Sequence, residues 1–188
     1  MAVYGDMVEP IWLFEPMSAE VYDSLPENEC KGIEVVDGMI RPHPSFPLGS
    51  NIASDICGMI EEAGAPDWHA VMRVDLRLSN DPLVNRVPDV LVFSAKAGIH
   101  ERVPLSAVLA TVEVAAPTSL RADRYEKPVE YAEAGIPYHW RVEVTSAVPE
   151  VHTFELDPAS GTYRPTGIVH GTGTAHLSFP VEIDLTDV

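Results

Sequence analysis

Two carboxylates interrupt segments that otherwise look like buried strands. Asp89 lies within VPDVLVF (87–93), and Glu113 lies within VLATVEVAA (108–116). Burying an ionised carboxylate without a partner is costly, so each of them requires a compensating group. A hard cation such as Mg²⁺ would compensate both, with water and substrate phosphate completing its coordination. Ion pairs with arginines, or exposure at a strand end, would also do so, and the candidate arginines are Arg73, Arg77 and Arg86.

A lysine follows the second of these segments at a regular spacing. Asp123, Lys127 and Tyr131 are four residues apart, so on a helix they share one face. A helix that directly follows the Glu113 strand can place the ammonium group of Lys127 over the end of that strand, where it could contact a phosphate. An ordinary ion pair between Asp123 and Lys127 explains the spacing as well. Because Pro128 disfavours a helical conformation at the residue before it, we expect Lys127 at the helix entrance rather than within the helix.

Turn residues and apolar periodicity divide the chain into short elements. Asp37-Gly38 between two apolar runs is typical of a tight β-hairpin. The predicted helices are 19–25, 51–63 and 123–134, and the predicted strands are a hairpin at 32–40, then 68–78, 87–93, 108–116, 138–144, 151–156, 162–168 and a β-rich tail at 172–185. This order predicts an α/β (α+β) fold with a mixed β-sheet core flanked by helices and additional antiparallel β-hairpins.

The ordered set of motifs resembles the Uma2 family, also called DUF820, of restriction-endonuclease-like proteins in the PD-(D/E)XK nuclease superfamily. The segments that carry the resemblance are IEVVDGMI with Glu34, VPDVLVF, TVEVAAPTS and RADRYEKPVEYAEAGIPYHWRVEV. The resemblance covers most of the chain, and we expect an N-terminal extension at 1–17 and a single domain at 18–188. It implies a restriction-endonuclease-like fold. It also implies hydrolysis of phosphodiester bonds in nucleic acid, with DNA as the expected substrate, through a water activated by Mg²⁺. Mn²⁺ could replace Mg²⁺, and a homodimer is expected because cutting a duplex commonly needs two active sites.

The resemblance also implies roles for individual residues. The metal ligands would be Asp89, Glu113 and the main-chain carbonyl of Val114. Ala115 stands where the superfamily has its lysine, and Lys127 matches the displaced lysine. Lys127 would orient or help deprotonate the attacking water and stabilise charge on the phosphate. Glu34 would complete the site; the alternative is that it is an exposed carboxylate on the hairpin. Among the histidines, His43 is expected to lie nearest to the site.

The acidic composition of the chain is compatible with functions other than DNA cleavage. The chain has 12 Lys+Arg against 29 Asp+Glu, a formal net charge of −17, whereas affinity for DNA rests largely on neutralising its phosphates. The alternatives are a catalytically inactive nuclease-fold protein that serves as a binding or scaffold domain, and a hydrolase of a small phosphodiester. Apolar runs are too short to span a membrane, and the N-terminus lacks the pattern of a signal peptide. We therefore expect a cytoplasmic protein without membrane contact, in which Cys30 and Cys57 are free thiols.

Overall fold

The computed structural model of the chain describes residues 16–30, 33–42, 47–97, 102–116, 118–144 and 148–188. Within these ranges the α-helices are α1 (Ala19–Ser24), α2 (Glu27–Cys30), α3 (Pro47–Gly64) and α4 (Lys127–Glu133). The strands are β1 (Ile33–Val36), β2 (Met39–Pro42), β3 (Trp68–Met72), β4 (Leu76–Asn80), β5 (Leu83–Arg86), β6 (Val90–Ser94), β7 (Val108–Ala115), β8 (Tyr138–Glu143), β9 (Glu150–Asp157), β10 (Thr162–His170), β11 (Thr172–His176) and β12 (Pro180–Asp184). None of the helices in these ranges is long and apolar enough to cross a bilayer.

A six-stranded sheet in the order β10-β9-β8-β7-β6-β3 forms the centre of the fold. β7 and β8 run parallel, and the other neighbours in this sheet are antiparallel. A parallel pair requires a crossover connection, which here contains α4. A four-stranded sheet, β2-β1-β5-β4, and a hairpin of β11 and β12 complete the architecture. The predicted mixed sheet with flanking helices and additional antiparallel hairpins is confirmed.

The two faces of the central sheet differ in chemistry. Helix α3 packs on one face, where the buried residues include Ile52, Ile56, Ile60, Val112, Val114, Trp140 and Val142. Side chains alternate across a strand, so Thr111 and Glu113 in β7 point to the opposite face. That face is covered by α4, whose Lys127 and Tyr131 contact Glu113. The second face combines these polar groups with a further apolar cluster, which includes Leu91, Phe93 and Tyr131.

The prediction of one strand over 68–78 is wrong. The chain turns at Arg73, which has a φ of 52° in the left-handed region, and the two halves join different sheets. Alternation continues through both halves, so the sequence period alone does not show the break. The short strand β5 was not predicted either, and α3 begins at Pro47, four residues before the predicted start.

Lys127 is the first residue of α4, as expected, but its own conformation is helical and the turn before it is helical too. The chain is already helical from Leu120, and a π-helical turn at Ala122–Glu126 leads directly into α4. The Lys127 N–H donates to the carbonyl of Ala122 across this wider turn. Pro128 follows immediately, at a position where the missing N–H is tolerated because the α-helical pattern is only beginning.

We expect that Ile56→Ala lowers the free energy of unfolding by about 2–5 kcal/mol, because it leaves a cavity between α3 and the sheet. Ile56 is fully buried, at 0% exposure. The measurement is urea unfolding followed by circular dichroism. The control is Asp55→Ala at the exposed neighbouring position, for which we expect a change within about 0.5 kcal/mol. Equal effects of the two substitutions would show that this core does not hold the fold.

Candidate active site

The ammonium group of Lys127 lies among three carboxylates from three elements. Its Nζ is 2.8 Å from Glu113 Oε2, 3.1 Å from Asp123 Oδ1 and 3.4 Å from Glu34 Oε1. All four residues are at most 3% exposed. Burial alone would lower the pKa of Lys127, but the charges of the three carboxylates outweigh it and raise that pKa above its usual range. The lysine is therefore held in its protonated form.

Glu113 is the most deeply buried acid of this group. Lys127 donates to its Oε2, and the hydroxyl of Tyr131 donates to its Oε1 at 2.6 Å. Burial raises the pKa of Glu113 to about 8; the charge of Lys127 opposes this rise, and the carboxylates of Asp123 and Asp89 add to it. The site thus holds a carboxyl group whose ionised form needs positive charge nearby.

Glu34 is held by Arg86, which the sequence offered as a candidate partner of Asp89 or Glu113 and which pairs with Glu34 and Glu130 instead. Arg86 Nη1 donates to Glu34 Oε2 at 2.7 Å, and Arg86 Nε and Nη2 donate to the two carboxylate oxygens of Glu130 at 2.6 and 2.7 Å. The Val87 N–H donates to Glu34 Oε1 at 3.2 Å. Glu34 is 3% exposed, so its interpretation as an exposed hairpin carboxylate is wrong. The sequence signal for a buried Arg86 is its position two residues before Pro88, beside apolar residues.

Asp89 lies immediately before β6 and faces the carboxyl-terminal half of β7. The β6–β7 register pairs Val90 with Val112, which places Asp89 opposite Glu113. The Val114 N–H donates to Asp89 Oδ2 at 2.8 Å. Because the N–H and carbonyl of an extended residue point to the same strand edge, the Val114 carbonyl faces this edge too. The structure thus brings the three expected metal ligands together.

The sequence offered arginine ion pairs as an alternative to metal binding. Arg73 Nε lies 3.8 Å from Asp89 Oδ1, so an arginine does approach this carboxylate. Arg77 instead forms an ion pair with Asp23. Lys127 rather than an arginine lies against Glu113. Internal ion pairs therefore contribute to compensating the acids.

The connection between β7 and the following helix is fixed by a serine. Ser119 Oγ donates to a carboxylate oxygen of Asp123 and accepts the N–H of Ala116 at 3.1 Å. This contact ties the start of the helix to the end of β7. It sets the direction from which Lys127 reaches the acids. His43, the expected nearby histidine, lies outside the described residues.

The ionic groups of the site do not balance. Five carboxylates and three cationic side chains form one cluster, hereafter the acidic cluster; its members are Glu34, Asp89, Glu113, Asp123, Glu130, Arg73, Arg86 and Lys127. When all of these described residues are ionised, the carboxylates among them outnumber the cations by two. Each carboxylate oxygen has two lone pairs, so the present donors do not exhaust them.

The donor set suits a magnesium-like ion. Mg²⁺ commonly uses one or two carboxylates and takes its remaining ligands from water and substrate phosphate. In the described part of the chain, no group of three or more His, Cys, Asp and Glu side chains is arranged to hold a metal ion alone. Asp89 and Glu113 therefore fit a hard cation that takes further ligands from water and substrate.

The chain matches a known protein family and is similar to a solved structure. The sequence profile of the Uma2 family, described as "Putative restriction endonuclease", matches residues 19–186. A crystal structure of "a putative nuclease belonging to DUF820" from Anabaena variabilis ATCC 29413 is similar, with a TM-score of 0.66 and 16% identity over 86% of this chain and 89% of that chain. At this identity the likeness concerns the fold, and the expected restriction-endonuclease-like fold is confirmed. Comparison with curated proteins gives no match.

We expect that Tyr131→Phe lowers the free energy of unfolding by about 1.5–3 kcal/mol, because it removes a hydrogen bond to a buried carboxylate. Urea unfolding at constant pH measures this change. Tyr125→Phe is the matched control, since Tyr125 lies in the same helical segment and is 69% exposed. We expect little change for the control; equal stability of both variants and the wild type would show that the Tyr131 hydroxyl does not support Glu113.

Proposed function

The chain belongs to the Uma2 family of restriction-endonuclease-like proteins, and we propose on that premise that it is a metal-dependent nuclease whose substrate is DNA. The observation that carries the proposal is the pair of opposed carboxylates, Asp89 and Glu113, beside the ammonium group of Lys127. Carboxylates that hold a metal ion, together with an adjacent lysine, can activate water and stabilise charge on a phosphodiester.

Asp89, Glu113 and the carbonyl of Val114 would hold Mg²⁺ or Mn²⁺. When bound, the ion would polarise the phosphate and lower the pKa of a coordinated water. The Val114 N–H positions Asp89 through its bond to Oδ2. Tyr131 and Lys127 position the two oxygens of Glu113. Both ligands are thus oriented before the substrate arrives.

Lys127 would act as a charge-stabilising donor. Its raised pKa keeps the amine protonated, and a protonated amine has no lone pair with which to remove a proton. Orienting water and stabilising charge on the phosphate are therefore favoured over deprotonating the nucleophile. Glu34 would be a positioning residue, since it lies 3.4 Å from Lys127 Nζ and is itself held by Arg86.

A second candidate is hydrolysis of a small phosphodiester. The net charge of −17 favours this function, because a small substrate does not need an extended basic surface. The experiments below also test a third alternative, in which the protein is a catalytically inactive scaffold domain. We propose in addition one domain over 18–188 and a cytoplasmic homodimer, since two active sites are needed to cut both strands of a duplex.

We expect that Asp89→Asn, Glu113→Gln and Lys127→Met each lower the rate of metal-dependent plasmid nicking by about 10²–10³-fold, the typical effect of losing a preorganised charged group. A gel assay on supercoiled plasmid measures the rate. Isothermal calorimetry with Mg²⁺ and Mn²⁺ measures affinity, which we expect to fall in the two carboxylate variants and to persist in Lys127→Met. Circular dichroism checks that every variant is folded.

Asp55→Asn and Lys96→Met are matched controls at exposed positions, and we expect wild-type nicking from both. Undiminished nicking by all three site variants would exclude these residues as the catalytic site. Metal binding with hydrolysis of a dinucleotide, but without nicking, would identify the small-phosphodiester function. Absence of metal binding and of hydrolysis would support the scaffold alternative.

A further inference from the structure

A cavity of about 290 Å³ lies between α4 and the strands that follow it in the central sheet. Its apolar lining comes from Pro128, Val129, Ala132, His139, Phe154 and Tyr163. Helix α4 also supplies Lys127 to the acidic cluster. The cavity and the acidic cluster therefore share one helix and lie on the same side of the sheet.

The strand register fixes how far apart they are. β7 and β8 pair in parallel, with Glu113 beside Arg141 and Thr111 beside His139. In β9, Phe154 lies beside His139. Neighbouring strands are about 4.8 Å apart, so the cavity wall at Phe154 is about two strand spacings from β7. A nucleic-acid strand with one phosphate at the acidic cluster can reach the cavity with an adjacent nucleotide.

Aromatic rings form the wall of the cavity. The His139 ring is stacked near Phe154, with centroids 5.9 Å apart and planes at 28°, and lies 5.6 Å from the Tyr163 ring. Burial lowers the pKa of His139 to about 3, so its ring is neutral. Phe154 and Tyr163 are only half-buried, and the Arg141 guanidinium lies over the Phe154 ring, 5.3 Å from its centroid. This wall suits a flat ring that can stack on it.

The polar rim of the cavity carries both donors and acceptors. Arg124 Nε and Arg141 Nε donate to Glu143 at 3.1 and 2.9 Å, and Glu133 of α4 and Thr162 of β10 also line the cavity. The two guanidinium groups are thus balanced by two carboxylates. Such a rim favours a neutral ring with donors and acceptors along its edge over a phosphate group.

We propose that this cavity binds one unpaired nucleobase of the strand whose phosphodiester lies at the acidic cluster. The inference rests on the proposed nuclease function and names its substrate as a single strand or a strand with a locally extruded base. A paired base has its edge engaged and its faces stacked in the helix, so it cannot enter such a pocket. Base–aromatic stacking strengthens affinity by roughly 5- to 150-fold per base, and it does so without positive charge.

The test is equilibrium binding of an eight-nucleotide single strand that contains one 2-aminopurine, measured by fluorescence in EDTA. Without divalent metal no cleavage is expected, so binding is observed apart from catalysis. Stacking in the cavity should quench the probe at one position of the strand. Phe154→Leu keeps an apolar side chain but removes the stacking surface, and we expect it to weaken affinity roughly tenfold and to relieve the quenching.

Tyr125→Leu is the control, since it removes an exposed aromatic ring outside the cavity, and we expect binding within twofold of wild type. Val129→Glu is a second cavity variant at an exposed position, so a folding defect in Phe154→Leu does not decide the result. Unchanged binding and quenching in both cavity variants, or no binding by the wild type, would overturn the inference.

Three comparisons separate the inference from the proposed function. Equal quenching by a perfectly paired duplex would overturn the requirement for an unpaired base. Binding of free 2-aminopurine nucleotide as tight as that of the strand would assign the cavity to mononucleotides. Cavity-dependent binding of the strand without cleavage in Mg²⁺ would retain the nucleobase site and reject the nuclease function, whereas nicking with unaffected binding in the cavity variants would do the reverse.

Discussion

The ion pairing around Lys127 holds together parts of the chain that are distant in sequence. Glu34 comes from the small sheet, Glu113 from the central sheet and Asp123 from the helix between β7 and β8. Removing one partner of a buried ion pair typically costs about 3–5 kcal/mol, because the remaining charge is left uncompensated. Arg86 extends the connection by joining Glu34 to Glu130 of α4. The same contacts that build the candidate active site therefore also dock the two sheets and α4 on one another.

Stability alone does not explain so many buried acids. Apolar side chains of similar volume often replace buried ion pairs without loss of stability, and this chain fills the other face of the sheet in that way. The acids on the second face instead receive specific donors, among them the Tyr131 hydroxyl and the Val114 N–H. When ionised, the described carboxylates of the cluster outnumber its described cations by two, a charge that apolar side chains would not introduce. A site that binds a divalent cation and a phosphate gives a physical reason for keeping them.

Whether the sequence could predict a contact of the site depends on how far apart its partners lie along the chain. The isolated acids Asp89 and Glu113 were identifiable because each interrupts an apolar run, and alternation along β7 fixes the face of Glu113. Lys127 was identified as a site residue but placed in the wrong local conformation, because a π-helical turn has no clear signal in a single sequence. Arg86 was a candidate partner of Asp89 and Glu113, but its actual partners, Glu34 and Glu130, were not predicted, since they lie 52 and 44 residues away. Local patterns thus predicted the acids, whereas their long-range partners required the fold.

The distribution of positive charge constrains how such a protein could hold a nucleic acid. Arg86 and Lys127 are buried against carboxylates, and Arg124 and Arg141 are engaged by Glu143. Cations that are already paired release few counterions from DNA, so these four residues contribute little to phosphate neutralisation. Under the proposed function, affinity must then come from a metal ion shared with the substrate and from contacts that do not depend on charge. The aromatic cavity beside α4 supplies contacts of that second kind, within about two strand spacings of Glu113.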